Sequence, residues 1–417
     1  MTIATTTDHT PSPAPAPPHT PTPWAKIQVT ALLVLADGTI IEGQGAGATG
    51  AVEAEICFNT ALTGYQEIIT DPSYDGQVVA FTFPHIGNVG ANAEDHEDYV
   101  PGTGAVGAIF KADITDPSSY RSGGHFDAWL NERGLIAMSG VDTRALTAMI
   151  REKGLANGVI AHSPDGKFNR DELVARAKAW AGLTDADLAK DVFDPTSKPW
   201  SQAPWVWNEG FDEASDAGSE TLNVVVLDYG VKRNILRLMA GLGMKLTVMP
   251  GDSTAEAVLA HKPDGVFISN GPGDPAATGA YAAETIRQII AADVPLFGIC
   301  LGHQMLALAL GGKTIKMHQG HHGANHPVKD HTTGKVEIVS MNHGFAVDAD
   351  SLPDTVEQTH VSLFDNTNCG LAVPGKPVFS VQHHPEASPG PQDSHYLFRR
   401  FANLIRERKG LTLLDEA

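Results

Sequence analysis

The first half of the chain alternates short apolar runs with turn residues. Two β-rich runs flank Asp37-Gly38 in ALLVLADGTIIEGQG, and this dipeptide predicts a β-hairpin. Residues 126–134 and 142–154 instead carry apolar residues at helical spacing, and both stretches end at glycine, as helix C-termini prefer. The mixture predicts an α+β domain over residues 25–189.

A different pattern begins after Thr221. Continuous apolar runs such as LNVVVLDYG, DGVFISN and VPLFGI alternate with stretches of helical spacing such as KRNILRLMAGLG and AYAAETIRQIIAA. This alternation predicts βαβ units with a parallel sheet covered on both faces, and hence a doubly wound α/β domain over residues 222–410. Ligands of such sheets bind at the carboxyl ends of the strands, so we expect the chemistry at that edge.

Two stretches show neither pattern. Residues 1–24 form a tail rich in Pro, Thr and Ala with almost nothing to bury, and we expect this tail to be disordered. Residues 190–221 carry prolines, an acidic run and Trp200, Trp205 and Trp207. We interpret this segment as an interdomain linker whose tryptophans pack onto a domain surface.

The composition excludes several classes of protein. With 29 basic and 49 acidic residues the net charge is −20, so we expect neither nucleic acid nor an anionic membrane as a partner. No apolar stretch reaches the ~18–20 residues of a membrane span, and the N-terminus does not resemble a secretory signal. Three cysteines in a long chain favour a reducing compartment, which predicts a cytoplasmic protein.

The candidate nucleophile is Cys300 in PLFGICLGHQML. Gly298 and Gly302 flank it at a junction of strand and helix, a spacing typical of a nucleophile elbow. Such a turn holds its central residue in a strained conformation, and side chains at the glycine positions would clash with neighbouring backbone. The start of the following helix would favour the thiolate. A buried structural cysteine is the alternative, but a core strand would not need both glycines.

Two further segments complete a set of groups for acyl transfer. In QHHPEASPG, His384 and Glu386 are two residues apart, so in extended chain their side chains share a face and the carboxylate can orient the imidazole. In SNGPGDP, Gly271 and Gly273 follow a predicted strand and allow the backbone to approach a ligand closely. Taken alone, either segment is equally compatible with an ordinary surface loop or tight turn.

The three segments, in their order along the chain, resemble those of the class I glutamine amidotransferases. The N-terminal half resembles one family among them more closely. Residues 58–92, FNTALTGYQEIITDPSYDGQVVAFTFPHIGNVGAN, and 139–154, SGVDTRALTAMIREKG, are similar to the small-chain family of carbamoyl-phosphate synthases. The resemblance implies an N-terminal β/β/α-type domain that docks a partner. A flavodoxin-like, doubly wound amidotransferase domain would follow it.

The resemblance also implies roles for single residues. Cys300 would be the nucleophile with His384 and Glu386 as its partners, and the N–H groups of Gly273 and Leu301 would stabilise the oxyanion. The implied L-glutamine pocket consists of Ala61, Gly271, Gly273, Leu301, Gln304, Asn342, Gly344 and Phe345. Many family members have serine at the position of Ala61, so only a backbone contact can remain there. Lys232 is a further residue expected near the pocket.

By the same resemblance the reaction is divided between two chains. This chain would hydrolyse L-glutamine and pass ammonia to a large synthetase chain, which makes carbamoyl phosphate from bicarbonate with ATP and Mg²⁺ for arginine and pyrimidine biosynthesis. We expect a heterodimer, or an assembly of heterodimers, and no cofactor or metal on this chain. The segment ALALGGKT has Ala307 where a P-loop requires its first glycine.

Two other functions fit parts of the pattern. An amidotransferase subunit could serve another acceptor, such as a nucleotide or chorismate, although the N-terminal signatures argue against it. A catalytically silent scaffold could bind and regulate the synthetase, although the three reactive residues are all present. The histidines of residues 318–331 suggest metal binding, but they lack a carboxylate or cysteine cluster at ligand spacing, and we expect structural hydrogen bonds instead.

Overall fold

The computed structural model describes residues 28–214 and 218–415. The tail predicted at residues 1–24 lies outside the described residues. Within the described ranges, no helix is both long and apolar enough to cross a membrane.

Seven strands of the first half close into a barrel, in the order β1-β2-β6-β5-β4-β3-β7. The elements of this half are β1 Ala31–Leu35, β2 Ile40–Gly47, β3 Gly50–Asn59, α1 Tyr65–Ile69, β4 Gln77–Phe81, β5 Gly107–Ile109, α2 Phe126–Glu132, β6 Ile136–Ser139, α3 Thr143–Lys153, β7 Ala156–His162, α4 Arg170–Ala179 and α5 Ala189–Val192. The predicted hairpin is confirmed, since β1 and β2 pair on either side of Asp37-Gly38. The helices predicted at residues 126–134 and 142–154 are confirmed as α2 and α3.

The barrel is filled on the inside and covered on the outside. Every residue of β1 is buried, because successive side chains of a strand point to opposite faces. Leu33 and Leu35 belong to an apolar cluster inside the barrel, whereas Leu32 and Val34 pack with Leu173 of α4. This continuous burial explains why β1 reads as an unbroken apolar run.

The segment between the two halves carries three short strands: β8 Lys198–Trp200, β9 Gln202–Val206 and β10 Gly210–Glu213. Strands β9 and β10 form a hairpin. Trp205 donates from Nε1 to Glu94 of the first half at 3.1 Å, and Trp200 lies 5.9 Å from Tyr99 between ring centres. Trp207, in contrast, is 63% exposed.

The second half is built on five parallel strands in the order β12-β11-β13-β14-β19, which is the flavodoxin-like order predicted. Strand β8 pairs antiparallel with β12, and β18, β17, β15 and β16 extend the other edge. The elements are β11 Leu222–Asp228, α6 Arg233–Gly241, β12 Met244–Pro250, α7 Ala255–Ala260, β13 Gly265–Ile268, α8 Pro275–Ala291, β14 Leu296–Ile299, α9 Leu301–Ala309, β15 Lys313–Asp330, β16 Val336–Asp348, β17 Glu357–Ser362, β18 Asn368–Ala372, β19 Val378–Val381 and α10 Tyr396–Lys409. Helices α7, α8 and α9 cover one face, and α6 and α10 the other.

Candidate active site

The candidate reactive residues lie at the carboxyl edge of the parallel sheet. Strands β14 and β19 are neighbours, with Ile299 opposite Val381. Cys300 directly follows β14, and His384 comes three residues after the end of β19. Two residues far apart in the sequence are therefore brought to the same edge of the sheet.

Cys300 occupies the sharp turn between β14 and α9. Its φ of 54° and ψ of −104° lie outside the regions that residues with a side chain normally adopt. A Cβ atom on Gly298 would lie 2.8 Å from the carbonyl oxygen of Gly302, and one on Gly302 would overlap the carbonyl oxygen of Ile268. Backbone contacts thus require both glycines, which confirms the strained elbow predicted from the sequence.

The thiol of Cys300 is buried where an apolar cluster meets the polar lining of the pocket. Only 3% of the residue is exposed, and its Sγ donates to the carbonyl oxygen of Asn342 at 3.5 Å. Helix α9 begins at the next residue, and the leading N–H groups of a helix have no partner within it. This end of a helix favours negative charge, whether on a thiolate or on an oxyanion beside it.

His384, Glu386 and Lys232 form a buried chain of charged groups. Nδ1 of His384 is 2.7 Å from Oε1 of Glu386, and Nζ of Lys232 is 2.9 Å from the same oxygen. Lys232 also donates to the carbonyl oxygens of Ala387 and Ser388, at 2.7 and 3.1 Å. The carboxylate therefore holds one ring nitrogen of His384 and leaves Nε2 for chemistry.

These contacts favour the charged form of each group. Burial alone would lower the pKa of His384, but Glu386 and the thiol of Cys300 raise it above its ordinary value. Burial alone would raise the pKa of Glu386, but Lys232 and His384 lower it. A protonated imidazole held by a carboxylate is the form that can donate a proton to a leaving group.

The loop after β13 brings backbone to the same pocket. Gly273 has a φ of +90°, and a Cβ atom there would lie 2.6 Å from the carbonyl oxygen of Ala186. A Cβ atom on Gly271 would overlap the carbonyl oxygen of Tyr229. The backbone of this loop, which lines the pocket with Cys300, is therefore held in a conformation that requires glycine.

One pocket opens onto Cys300. Besides this residue, its lining includes six of the residues expected to bind glutamine: Gly271, Gly273, Gln304, Asn342, Gly344 and Phe345. Nε2 of Gln304 donates to the carbonyl oxygen of Phe345 at 2.7 Å and to Oε1 of Gln382 at 3.0 Å. Both protons of this amide are used, which fixes the side chain and leaves Oε1 as an acceptor for a ligand.

The two remaining residues predicted to bind glutamine, Ala61 and Leu301, do not line the pocket of Cys300. Ala61 lines a neighbouring cavity together with His384 and Lys232, and its N–H already donates to Oδ1 of Asn59 at 2.7 Å. Leu301 is 1% exposed, lines neither cavity and is the first residue of α9. Asn342 lines both cavities.

Sequence reasoning missed a turn of the first half that supports the pocket. Asp71 accepts from Nδ2 of Asn342 at 3.1 Å, and Ser73 accepts from Nδ2 of Asn270 at 2.9 Å. The backbone carbonyl oxygen of Asn342 accepts the hydrogen bond from the thiol of Cys300. The side chain of the same residue is thus held by a residue of the barrel half. The available signal was TDPSY within residues 58–92, since Asp followed by Pro favours a turn.

The histidine-rich strand β15 packs behind this pocket. The ring of His321 lies 5.0 Å from those of His326 and His343, and its Nε2 is 2.9 Å from Oδ2 of Asp365. Nδ1 of His343 is 2.7 Å from the carbonyl oxygen of Phe345. Within residues 28–214 and 218–415, no group of three or more His, Cys, Asp or Glu side chains is arranged to hold a metal ion.

Two family models match different parts of the chain. The family model for class-I glutamine amidotransferases matches residues 225–404, and that for the CPSase domain of the carbamoyl-phosphate synthase small chain matches residues 33–160. A glutamine amidotransferase of known structure from Thermotoga maritima is 17% identical, with a TM-score of 0.33, over 45% of this chain and 83% of that one.

Relatives match nearly the whole chain. The carbamoyl phosphate synthase small chain of Mesorhizobium japonicum is 69% identical over 94% of this chain and 98% of its own length. That of Brucella suis is 70% identical over 95% of this chain and 97% of its own length. The chain therefore belongs to the carbamoyl-phosphate synthase small-chain family and carries a class I glutamine amidotransferase domain.

Proposed function

We propose that the chain hydrolyses L-glutamine through a thioester on Cys300 and supplies the released ammonia to a large synthetase chain. The observation that carries this proposal is the strained turn at Cys300, in a pocket beside a buried His384–Glu386 pair. Membership of the small-chain family supports glutamine as the substrate.

Acylation begins when the thiolate of Cys300 attacks the side-chain carbonyl carbon of glutamine. The C–S bond forms while the carbonyl π electrons move to oxygen, and the N–H groups of Gly273 and Leu301 stabilise this oxyanion. The C–N bond then breaks as protonated His384 donates its proton from Nε2 to the departing nitrogen. Ammonia and a γ-glutamyl thioester result.

Deacylation uses the same groups in the opposite direction. Neutral His384 takes a proton from water, whose oxygen forms a bond to the thioester carbon. The C–S bond breaks, and glutamate leaves with one oxygen from water. Glu386 stabilises the imidazolium in both halves of the cycle, and Lys232 keeps that carboxylate ionised.

The cavity on the other side of Asn342 is a suitable exit for ammonia. His384, the proton donor in this proposal, lines that cavity together with Lys232, Ala387 and Pro389. Ammonia released there would leave away from the glutamine pocket and continue through an internal tunnel to the partner. Asn342 would keep the two compartments apart.

The remaining steps belong to the partner in this proposal. The large chain would bind ATP and Mg²⁺ and make carbamoyl phosphate in the cytoplasm, for arginine and pyrimidine synthesis. The barrel half would dock that chain, as a heterodimer or an assembly of heterodimers. The domain bounds 25–189, 190–221 and 222–410 stay a prediction.

Replacement of the nucleophile tests the proposal. In the complex of Cys300→Ser with its partner, glutamine-dependent carbamoyl phosphate synthesis should fall at least about 100-fold, because a serine hydroxyl is a far weaker nucleophile here. Synthesis from added ammonium salts should stay within twofold of the unaltered complex. A Cys369→Ser variant is the matched control, since this buried thiol lies outside the pocket. Undiminished glutamine-dependent synthesis by Cys300→Ser would contradict the assignment.

A further inference from the structure

An ion pair between the two halves of the molecule borders the pocket of Cys300. Nζ of Lys316, on β15 of the amidotransferase half, is 2.7 Å from Oε2 of Glu55, on β3 of the barrel. Both residues line the pocket that Cys300 lines. The pocket therefore has one cationic and one anionic side chain from two different domains.

Neighbouring residues hold this pair in place. Oε1 of Glu55 accepts from Nε2 of Gln77 at 2.9 Å, and Nζ of Lys316 lies 4.6 Å from the centre of the Phe345 ring. A Cβ atom on Gly344 would lie only 3.5 Å from Nζ of Lys316, so the absence of a side chain there leaves room beside the ammonium group.

The pair keeps capacity for further hydrogen bonds. Lys316 has three N–H donors, of which Glu55 takes one, and each oxygen of Glu55 can accept a second bond. The side chain of Lys316 is 28% exposed, whereas that of Glu55 is 4% exposed. A ligand entering the pocket can therefore reach the ammonium group without breaking the ion pair.

We propose that Lys316 and Glu55 select free glutamine by binding its α-carboxylate and its α-ammonium group, respectively. The inference rests on the proposed function, because it concerns the far end of the substrate that Cys300 attacks. A free α-amino acid carries one positive and one negative group on the same carbon, and this pair offers the opposite charge to each. Amides in peptides lack both charges.

The barrel would then contribute directly to substrate choice. Glu55 belongs to β3, whose bonds to β4 and β7 hold it in the closed barrel. Any displacement of the barrel from the amidotransferase half would separate Glu55 from Lys316 and open the charged side of the pocket. In this way glutamine binding depends on correct assembly of the two halves.

Three amide substrates can distinguish the contact of Lys316 from that of Glu55. L-glutamine carries both α-charges, 4-carbamoylbutanoate lacks the ammonium group, and glutaminamide has an uncharged amide in place of the carboxylate. Ammonia release by the full chain in complex with its partner gives kcat and KM for each. The unaltered complex should prefer L-glutamine over either analogue by about tenfold or more, since each analogue lacks one hydrogen bond between charged groups.

The variants should lose activity selectively. Glu55→Gln should lower kcat/KM for L-glutamine about tenfold, mainly through KM, and leave kcat/KM for 4-carbamoylbutanoate within twofold. Lys316→Met should lower kcat/KM for L-glutamine and 4-carbamoylbutanoate alike and leave that for glutaminamide within twofold. Matched controls are Glu53→Gln on β3, whose partner is Arg176, and Lys329→Met, an exposed position on β15.

Two results would overturn the inference. Equal losses on all three substrates in each variant would mean that the pair only holds the domains together. If the unaltered complex has equal kcat/KM for all three amides, the α-charges of glutamine are not recognised and the inference is overturned. This measurement needs no variant, so it remains decisive even if Glu55→Gln fails to fold. An unaltered complex that releases no ammonia from L-glutamine would instead contradict the proposed function itself.

Discussion

At the scale of single residues, Lys232 determines the charge of the site. It is 3% exposed and forms an ion pair with Glu386, and this carboxylate is the nearest of the acidic groups that its positive charge stabilises. Removing one member of such a buried pair typically costs 3–5 kcal/mol, because the other charge is left without compensation. Glu386 therefore stays ionised and available to His384.

Glu386 can be tested without a large change of shape. Glu386→Gln keeps the size of the side chain but removes the charge that stabilises the imidazolium form of His384. We expect the kcat of glutamine hydrolysis to fall about 100-fold or more, with a lower pKa for the histidine in the pH profile. Steady-state ammonia release between pH 6 and 10 measures both.

The control for this change is Glu337→Gln, a buried carboxylate on β16 that does not line the pocket. It should keep its kcat within threefold of the unaltered chain. A Glu386→Gln variant with an unchanged pH profile would show that the carboxylate does not act on His384.

At the scale of the elements, the turn after β11 begins with a buried carboxyl group. Oδ1 of Asp228 accepts the N–H groups of Gly230 and Val231, at 2.9 and 2.8 Å, and so shapes the turn that leads to Lys232. Burial is the main cause that raises the pKa of Asp228 to about 6, although these hydrogen bonds lower it. The fold therefore binds a proton at this position more tightly than the unfolded chain does.

This proton linkage has a definite sign. An unfolded aspartate has a pKa of about 3.9, so the contribution of Asp228 to stability is complete below pH 4 and is lost as the pH rises through about 6. Asp228→Asn cannot lose a proton there. Relative to the unaltered chain, its free energy of unfolding should increase between pH 4 and pH 7 by on the order of 2 kcal/mol. Urea unfolding at several pH values measures this difference, and a decrease over the same range would contradict it.

At the scale of the whole molecule, Glu97 of the barrel half ties the two halves together. Its Oε2 accepts from the N–H of Asn234 at 2.9 Å, and its Oε1 accepts from the hydroxyl of Ser388 at 2.5 Å. The backbone N–H of Arg233 donates to its carbonyl oxygen at 3.0 Å. One residue thus reaches both the start of α6 and the segment that follows Glu386.

Loss of the Glu97 carboxylate should destabilise the contact between the two halves and lower the free energy of unfolding. Glu97→Ala leaves the partly buried N–H of Asn234 without its carboxylate partner, and we expect the free energy of unfolding to fall by about 1–3 kcal/mol. Glu97→Gln retains an acceptor and should lose less. Glu132→Ala, at an exposed position of α2, is the control and should change little. Equal midpoints of urea unfolding for Glu97→Ala and Glu132→Ala would contradict the role of Glu97.

Local patterns were sufficient to predict much of this fold. The parallel sheet of the second half and the turn at Cys300 follow from continuous apolar runs and from glycines at fixed spacing, because both signals are local in the sequence. The flavodoxin-like order of the five strands was expected only from the family resemblance. Closure of the barrel was not predicted. It depends on pairing between β1 and β7, which are distant in sequence, and no local signal specifies that pairing.

The candidate site was predicted only where its residues lie within a single short segment. Cys300, His384 and Glu386 lie in short motifs, but the support from Asp71 and Glu55 depends on how one half packs against the other. Ala61 departs from the prediction for a different reason, because its N–H already donates to Asn59 two residues earlier. Contacts between domains leave no periodic trace in a sequence.

The contact between Asp71 and Asn342 links the barrel half to the candidate nucleophile without touching it. Asp71 accepts from the side chain of Asn342, and the backbone carbonyl oxygen of the same asparagine accepts from the thiol of Cys300. A shift of the barrel half would therefore be passed on to the sulfur through a single intervening residue. A chain whose halves had come apart would still carry Cys300, but it would lack the contact that anchors the neighbour of its thiol.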